Sequence, residues 1–228
     1  MSMNLPTFLR GIAKMNPISS LRISVIKMIG LGLLLTLLFF PNSCLAFSNL
    51  QDYLTAFKDK HVDVRKGAIE QLLDCLAEEK ECLERESPDA FRQLVTAIID
   101  LLADPDPQVQ KAAILYLQQS TDARVIKPIA RLLRDENGDV RAAAAGAFYH
   151  MTVDEGVVEE LEHLLKDKNK RVRMAAAGSL VLSGTKKSLD TLRAALAGES
   201  DSEVRKLYVL AIRELEARHL KRSMGKGK

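Results

Sequence analysis

The sequence predicts an all-α chain: an α-solenoid of about five stacked helical hairpins behind an N-terminal export segment. Three observations predict it. A motif centred on a valine recurs five times, at Val64, Val109, Val140, Val172 and Val204, with steps of 45, 31, 32 and 32 residues. Within each motif the apolar residues return at helical rather than strand spacing. Finally, 228 residues with 47% hydrophobic and 28% charged content, but only 12 Gly and 7 Pro, suit one packed core and exclude a collagen-like or disordered chain.

The first element is an address. Residues 1–46 carry Arg10, Lys14, Arg22 and Lys27 and no acid, and Met28 to Phe40 is a run of 13 residues free of charge. Small residues at Cys44 and Ala46 follow, so the layout is that of a secretory signal peptide cleaved before Phe47. The expected location is therefore exported, periplasmic or secreted. The alternative is a membrane anchor over residues 23–40, but Lys27 interrupts those 18 residues and a spanning helix usually needs about 20. A lipoprotein acylated at Cys44 and a start at Met15 are minor variants.

The repeats come next, and a fixed period of this kind marks stacked units. The first step, 45 residues, is one repeat plus about 13 inserted residues, placed near 77–89. Ahead of each valine an amphipathic stretch ends in leucines, as at Leu101-Leu102, Leu132-Leu133 and Leu164-Leu165. An acid stands five positions before it: Asp59, Asp104, Asp135, Asp167 and Glu199. Three positions before it stand His61, Asp106, Asn137, Asn169 and Asp201, of which all but His61 are strong N-cap types. Pro107 follows Asp106 where a missing N–H costs nothing. The second helix then buries the valine and the positions four, seven and eight later, such as Ala144, Ala147 and Phe148, or Ala176, Ser179 and Leu180.

An acid, a polar cap, Val-Arg and an Ala-rich turn in register resemble HEAT-like repeats of the bilin-lyase type. The resemblance covers about residues 48–220 and implies a fold more than an activity. Each acid is expected to pair with the arginine six positions later, as Asp59/Arg65, Asp135/Arg141, Asp167/Arg173 and Glu199/Arg205. In the family such positions form a ladder that ties one loop to the next. Gln110 replaces arginine in the second unit, so its rung should be weaker.

Charge and chemistry narrow the function. The net charge of +3 comes from the first 46 residues; beyond them 29 Lys and Arg face 30 Asp and Glu, which argues against a nucleic-acid partner. The four histidines, His61, His150, His163 and His219, form no His-Glu dipeptide or H-E-x-x-H pattern, and no C-x-x-C occurs. No catalytic, metal or cofactor residue can be named. Iron binding through repeated His-Glu pairs, as in the HEAT-like deoxyhypusine hydroxylases, therefore does not transfer.

Cys75 and Cys82 are the cysteines of the mature chain, in or beside an acidic insertion that reads as a solvated face. An exported compartment favours a disulfide between them, but a continuous helix would separate them by about 10 Å. The alternatives are a bridge across a break near Glu79-Lys80 and two semi-buried thiols.

A partner would sit on the concave side, lined by the second helices. Opposite the buried stripe lie the positions two, six and nine after each valine. The candidate partner-binding residues among them are Lys66, Lys111, Gln118, Ala142, Gly146, Tyr149, Met174, Gly178, Val181, Lys206 and Arg213. The middle of this groove is small and apolar, with lysines on both sides. The competing reading is that small residues there only permit tight stacking of helices.

The last helix becomes polar, as a terminal cap must, and Lys221, Arg222, Lys226 and Lys228 form a basic tail over 221–228. Weak membrane contact through that tail, or through a retained N-terminal helix, is a secondary expectation. Taken together, these features predict an exported, non-catalytic scaffold or adaptor that binds another protein or peptide and needs no cofactor. The alternatives are a bilin-lyase-like or chaperone-like enzyme acting on a partner protein, and a membrane-tethered assembly factor.

Overall fold

The computed structural model describes residues 50–73 and 87–225, with side chains to residue 221. The signal segment, nearly all of the 77–89 insertion, Cys75, Cys82 and most of the basic tail lie outside the described residues.

Five hairpins follow one another among the described residues. The first is α1 (Leu50–Ala56) with α2 (62–73). The second is α3 (Pro88–Asp100), prolonged by a 3₁₀ turn at Leu101–Ala103, with α4 (Pro107–Leu117). In the third, a 3₁₀ turn at Ala123–Val125 leads into α5 (Ile126–Arg131) and a second at Leu132–Arg134, before α6 (Gly138–Ala147). The fourth pairs α7 (Glu155–Leu164) with α8 (Lys170–Ser183), and the fifth α9 (Lys186–Gly198) with α10 (Ser202–Gly225). The second helices pack on one another in chain order, α4 on α6, α6 on α8 and α8 on α10. One continuous apolar core runs from Phe57 to Leu215.

The polar caps start the second helices. Asp106 accepts from the Gln108 amide, Asn137 from those of Asp139 and Val140, and Asn169 from that of Arg171. Asp201 does the same for Glu203 and Val204. Each bond satisfies an amide that the helix itself cannot. Val109, Val140, Val172 and Val204 are all 0% exposed and form the expected spine. Val64 departs from it, at 36% exposed, because it heads the stack and no earlier second helix covers it among the described residues.

The buried stripe is wider than the repeat pattern suggests. The residue five after each valine is also fully buried at Ile69, Ile114, Ala145 and Ala177, because it faces the next hairpin. Ser179, seven after its own valine, shows the contact: its Oγ donates to the carbonyl oxygen of Ala145 at 2.6 Å.

The charged ladder corrects the expected pairing. The arginine does not form its ion pair with the acid six residues earlier. Arg65 forks Asp104 of the next hairpin, Nε to Oδ2 at 2.6 Å and Nη2 to Oδ1 at 2.9 Å. Arg141 forks Asp167, and Arg173 forks Glu199, in the same way. What the arginine gives its own loop is Nη1, which donates to the main-chain oxygen of Asp59, Asp135 or Asp167. The acid's carboxylate meanwhile accepts the amide two residues on. Each of these arginines thus closes its own loop and grips the next. Gln110 breaks the series: among the described residues its side-chain amide reaches only the Leu102 carbonyl, at 3.2 Å, and no guanidinium reaches Asp135.

Candidate protein-binding face

The same packing that buries one side of each second helix determines what is left outside. In the second, third and fourth hairpins the valine and the positions four, five, seven and eight beyond it are all taken up by the core and the neighbouring hairpins. Positions two, six and nine form the open side of α2, α4, α6, α8 and α10. None of the eleven candidate residues is buried. Lys66, Lys111, Gln118, Ala142, Gly146, Met174, Gly178 and Val181 are half-buried, and Tyr149, Lys206 and Arg213 are exposed. Leu115 and Leu210, at the same positions, are 47% and 51% exposed, so the apolar character extends beyond the two central hairpins.

The glycines on this face are not there for packing. A Cβ built on Gly146 or Gly178 meets nothing within 4 Å. Glycines that do serve close approach look different: a Cβ on Gly138 would run into the Asn169 side chain, and one on Gly184 into the Leu180 carbonyl. Because glycine inside a helix costs about 0.5–1 kcal/mol relative to alanine, two such residues over open space lower stability without improving the stack. They leave the helix surface bare.

Tyr149 stands at the edge of this strip. Helix α6 stops at Ala147, so Tyr149 lies in the following turn rather than on the helix, its amide donating to the Gly146 carbonyl at 3.1 Å. Its ring meets the His150 imidazole edge-on, centroids 4.8 Å apart and planes at 84°. Such a contact holds the aromatic ring upright while leaving it 41% exposed. The cations differ in what they hold. Lys66 reaches Glu70 on its own helix at 3.2 Å, whereas Lys111, Lys206 and Arg213 have no ion-pair partner among the described residues.

The buried ionisable side chains of the ladder and of Tyr208 have structural partners. The burial of Asp104, Asp167 and Glu199 opposes their charge, yet the arginine forks and main-chain amides hold all three carboxyls below their usual range. Burial pushes the Tyr208 phenol up to about 12, and its hydroxyl donates to the Leu165 carbonyl at 2.7 Å. Among the described residues no three His, Cys, Asp or Glu side chains converge as a metal cage. Nor, among the described residues, is any helix long and apolar enough to cross a membrane.

Comparison with known proteins agrees with this geometry. The family model of HEAT repeats matches residues 50–148 and again 129–213, and it matches HEAT repeats as a class, without a subtype. No curated protein matches the chain. Among solved structures, an engineered protein is 23% identical at a TM-score of 0.53, over 75% of this chain and 80% of that one. A designed armadillo repeat protein in complex with the peptide (KR)4 is 18% identical at a TM-score of 0.53, over 74% and 82%. A computationally designed armadillo repeat protein for modular peptide recognition is 19% identical at 0.53, over 73% and 82%. At these identities the likeness is one of fold.

Proposed function

Since this chain belongs to the HEAT-repeat family, we propose that it works as a non-catalytic scaffold, exported from the cytoplasm, which holds a protein or peptide on the open face of its second helices. The observation that carries this reading is the bare strip at Gly146 and Gly178, flanked by Ala142, Met174 and Val181, where added carbon would touch nothing. A partner's backbone or small side chains can approach that strip closely, Met174 can adapt its shape to them, and Tyr149 offers a rigid anchor. Because the stacked hairpins set the face in advance, little ordering cost falls on this side of the complex.

The flanking charge specifies the partner further. The designed armadillo neighbour was solved with a peptide of lysine and arginine. Here Lys111, Lys206 and Arg213 border the strip with no ion-pair partner among the described residues, so the complementary segment is apolar with acidic flanks. Affinity capture from the exported fraction, followed by identification of the partner, supplies the ligand. Gly146→Glu and Tyr149→Ala are then expected to weaken its binding with the helical circular dichroism unchanged. Full binding by both variants rejects the face. Export rests on the layout of residues 1–46, and mass spectrometry of the native N-terminus tests it, with Phe47 as the expected first residue.

A further inference from the structure

The two ends of the described stack carry the two halves of one rung: an arginine with no acid ahead of it, and an acid, Asp59, whose side chain contacts only its own loop among the described residues, through the His61 ring at 2.9 Å. At the C-terminal end Arg205 closes its own loop as the other ladder arginines do, Nη1 donating to the Glu199 carbonyl at 2.8 Å and to that of Leu196 at 3.0 Å. In Arg65, Arg141 and Arg173 this posture leaves Nε and Nη2 to fork the acid of the following hairpin. On Arg205 those two donors have no partner among the described residues. At the other end Asp59 accepts the His61 amide at 2.7 Å, as Asp104 and Asp167 accept theirs, but no guanidinium reaches it among the described residues. Its side chain is 37% exposed.

The apolar positions are divided in the same way. Val64, whose counterparts are covered by the preceding hairpin, is 36% exposed. Val209, whose counterparts Ile69, Ile114, Ala145 and Ala177 are covered by the following one, is only half-buried. It lies in a shallow depression of about 450 Å³ with Leu196, Arg205, Lys206, Leu210 and Arg213. The C-terminal end is thus cationic around an apolar floor, and the N-terminal end presents Asp59 and Asp63, with Lys58, Lys60 and His61 exposed beside them, around an apolar valine.

We propose that the C-terminal end face docks the N-terminal end face of a second copy of this chain, head to tail, with Arg205 forking Asp59 and Val209 covering Val64. The joint repeats a rung that the molecule already builds three times within itself. Being heterologous, it propagates into rings or open filaments rather than closing as a two-fold dimer. It is weaker than an internal joint, because the last unit exposes Ala197 where inner units bury Leu102, Leu133 and Leu165. Association is therefore concentration-dependent. The end face shares Lys206, Leu210 and Arg213 with the margin of the open face, whereas the rung itself, Arg205 with Asp59, uses no residue of that face.

Sedimentation of the purified protein across a concentration series tests it. The wild-type chain is expected to grow in mass, and Arg205→Asp and Asp59→Arg, each alone, to weaken association about tenfold or more, since each sets like charges opposite one another. Mixing the two variants restores both joints, Arg205 with Asp59 and the swapped pair, so mass returns in the mixture. Circular dichroism of each variant shows whether it is folded. A wild-type chain that stays monomeric to ~100 μM, far above a Kd of about 1 μM, overturns self-stacking and leaves the end face to a different chain. Folded variants whose mixture fails to associate overturn it as well.

Discussion

Arg141 holds two loops at once: Nη1 donates to the Asp135 carbonyl at 2.7 Å, while Nε and Nη2 fork the Asp167 carboxylate at 2.8 and 3.0 Å. Both side chains are 9% exposed, so removing one strands the other in a poor environment. Arg141→Met is expected to destabilise the chain by about 2–3 kcal/mol, measured by urea denaturation. Replacing both partners with apolar residues should cost less than Arg141→Met alone, because no buried charge is then left over.

The ladder also determines the acid limit of the fold. Asp104, Asp167 and Glu199 have native pKa values below their unfolded ones, so the unfolded chain binds protons first as pH falls. Their contribution is complete above about pH 5 and is lost progressively below about pH 4. At the alkaline end Tyr208 works in the opposite sense. Its pKa of about 12 lies above that of an unfolded tyrosine, so the unfolded chain ionises first and stability declines as pH rises past about 10. Melting temperature against pH should show a plateau bounded by these two declines, and Tyr208→Phe should soften the alkaline one.

The missing rung can be repaired. In Gln110→Arg the new guanidinium sits where Arg65, Arg141 and Arg173 sit in their units, with Asp135 as the acid ahead. We expect a gain of about 0.5–1.5 kcal/mol, or roughly 2–5 °C in melting temperature by calorimetry. A loss would mean that the second and third hairpins are spaced differently from the rest.

Two glycine substitutions separate a bare surface from a packed one. Gly146→Ala should raise stability by about 0.5–1 kcal/mol, because alanine is the better helix former and its methyl meets nothing. Gly138→Ala should lower it, because the methyl displaces Asn169, which caps α8. Thermal denaturation of both variants checks this. A destabilised Gly146→Ala would restore the reading in which small residues serve the stacking of helices.

How much was legible in the sequence follows from what repeats do. The hairpins, the polar caps, the valine spine and the open side of each second helix depend on local periodicity and on residue types at fixed offsets, and the five aligned motifs displayed them directly. Two things were out of reach. The offset of six between each acid and its arginine suggested an ion pair within one loop, although the family resemblance implied a ladder between loops. Only the stacking distance between loops shows that the fork reaches the following acid and that the main-chain oxygen is the local partner. The burial of the position five after each valine is likewise a contact between hairpins, which a pattern within one hairpin does not carry.

The sequence by itself therefore determined the brick: a capped two-helix unit with one apolar stripe and one open side, set by helical period and by side chains that act on their own backbone. The tertiary structure decided how bricks meet, because a rung between Arg65 and Asp104, or a hydroxyl of Ser179 on the Ala145 carbonyl, exists only once two units lie side by side. It also decided which glycines are bare, since the space around Gly146 and Gly178 is a property of their neighbours, not of their own helices.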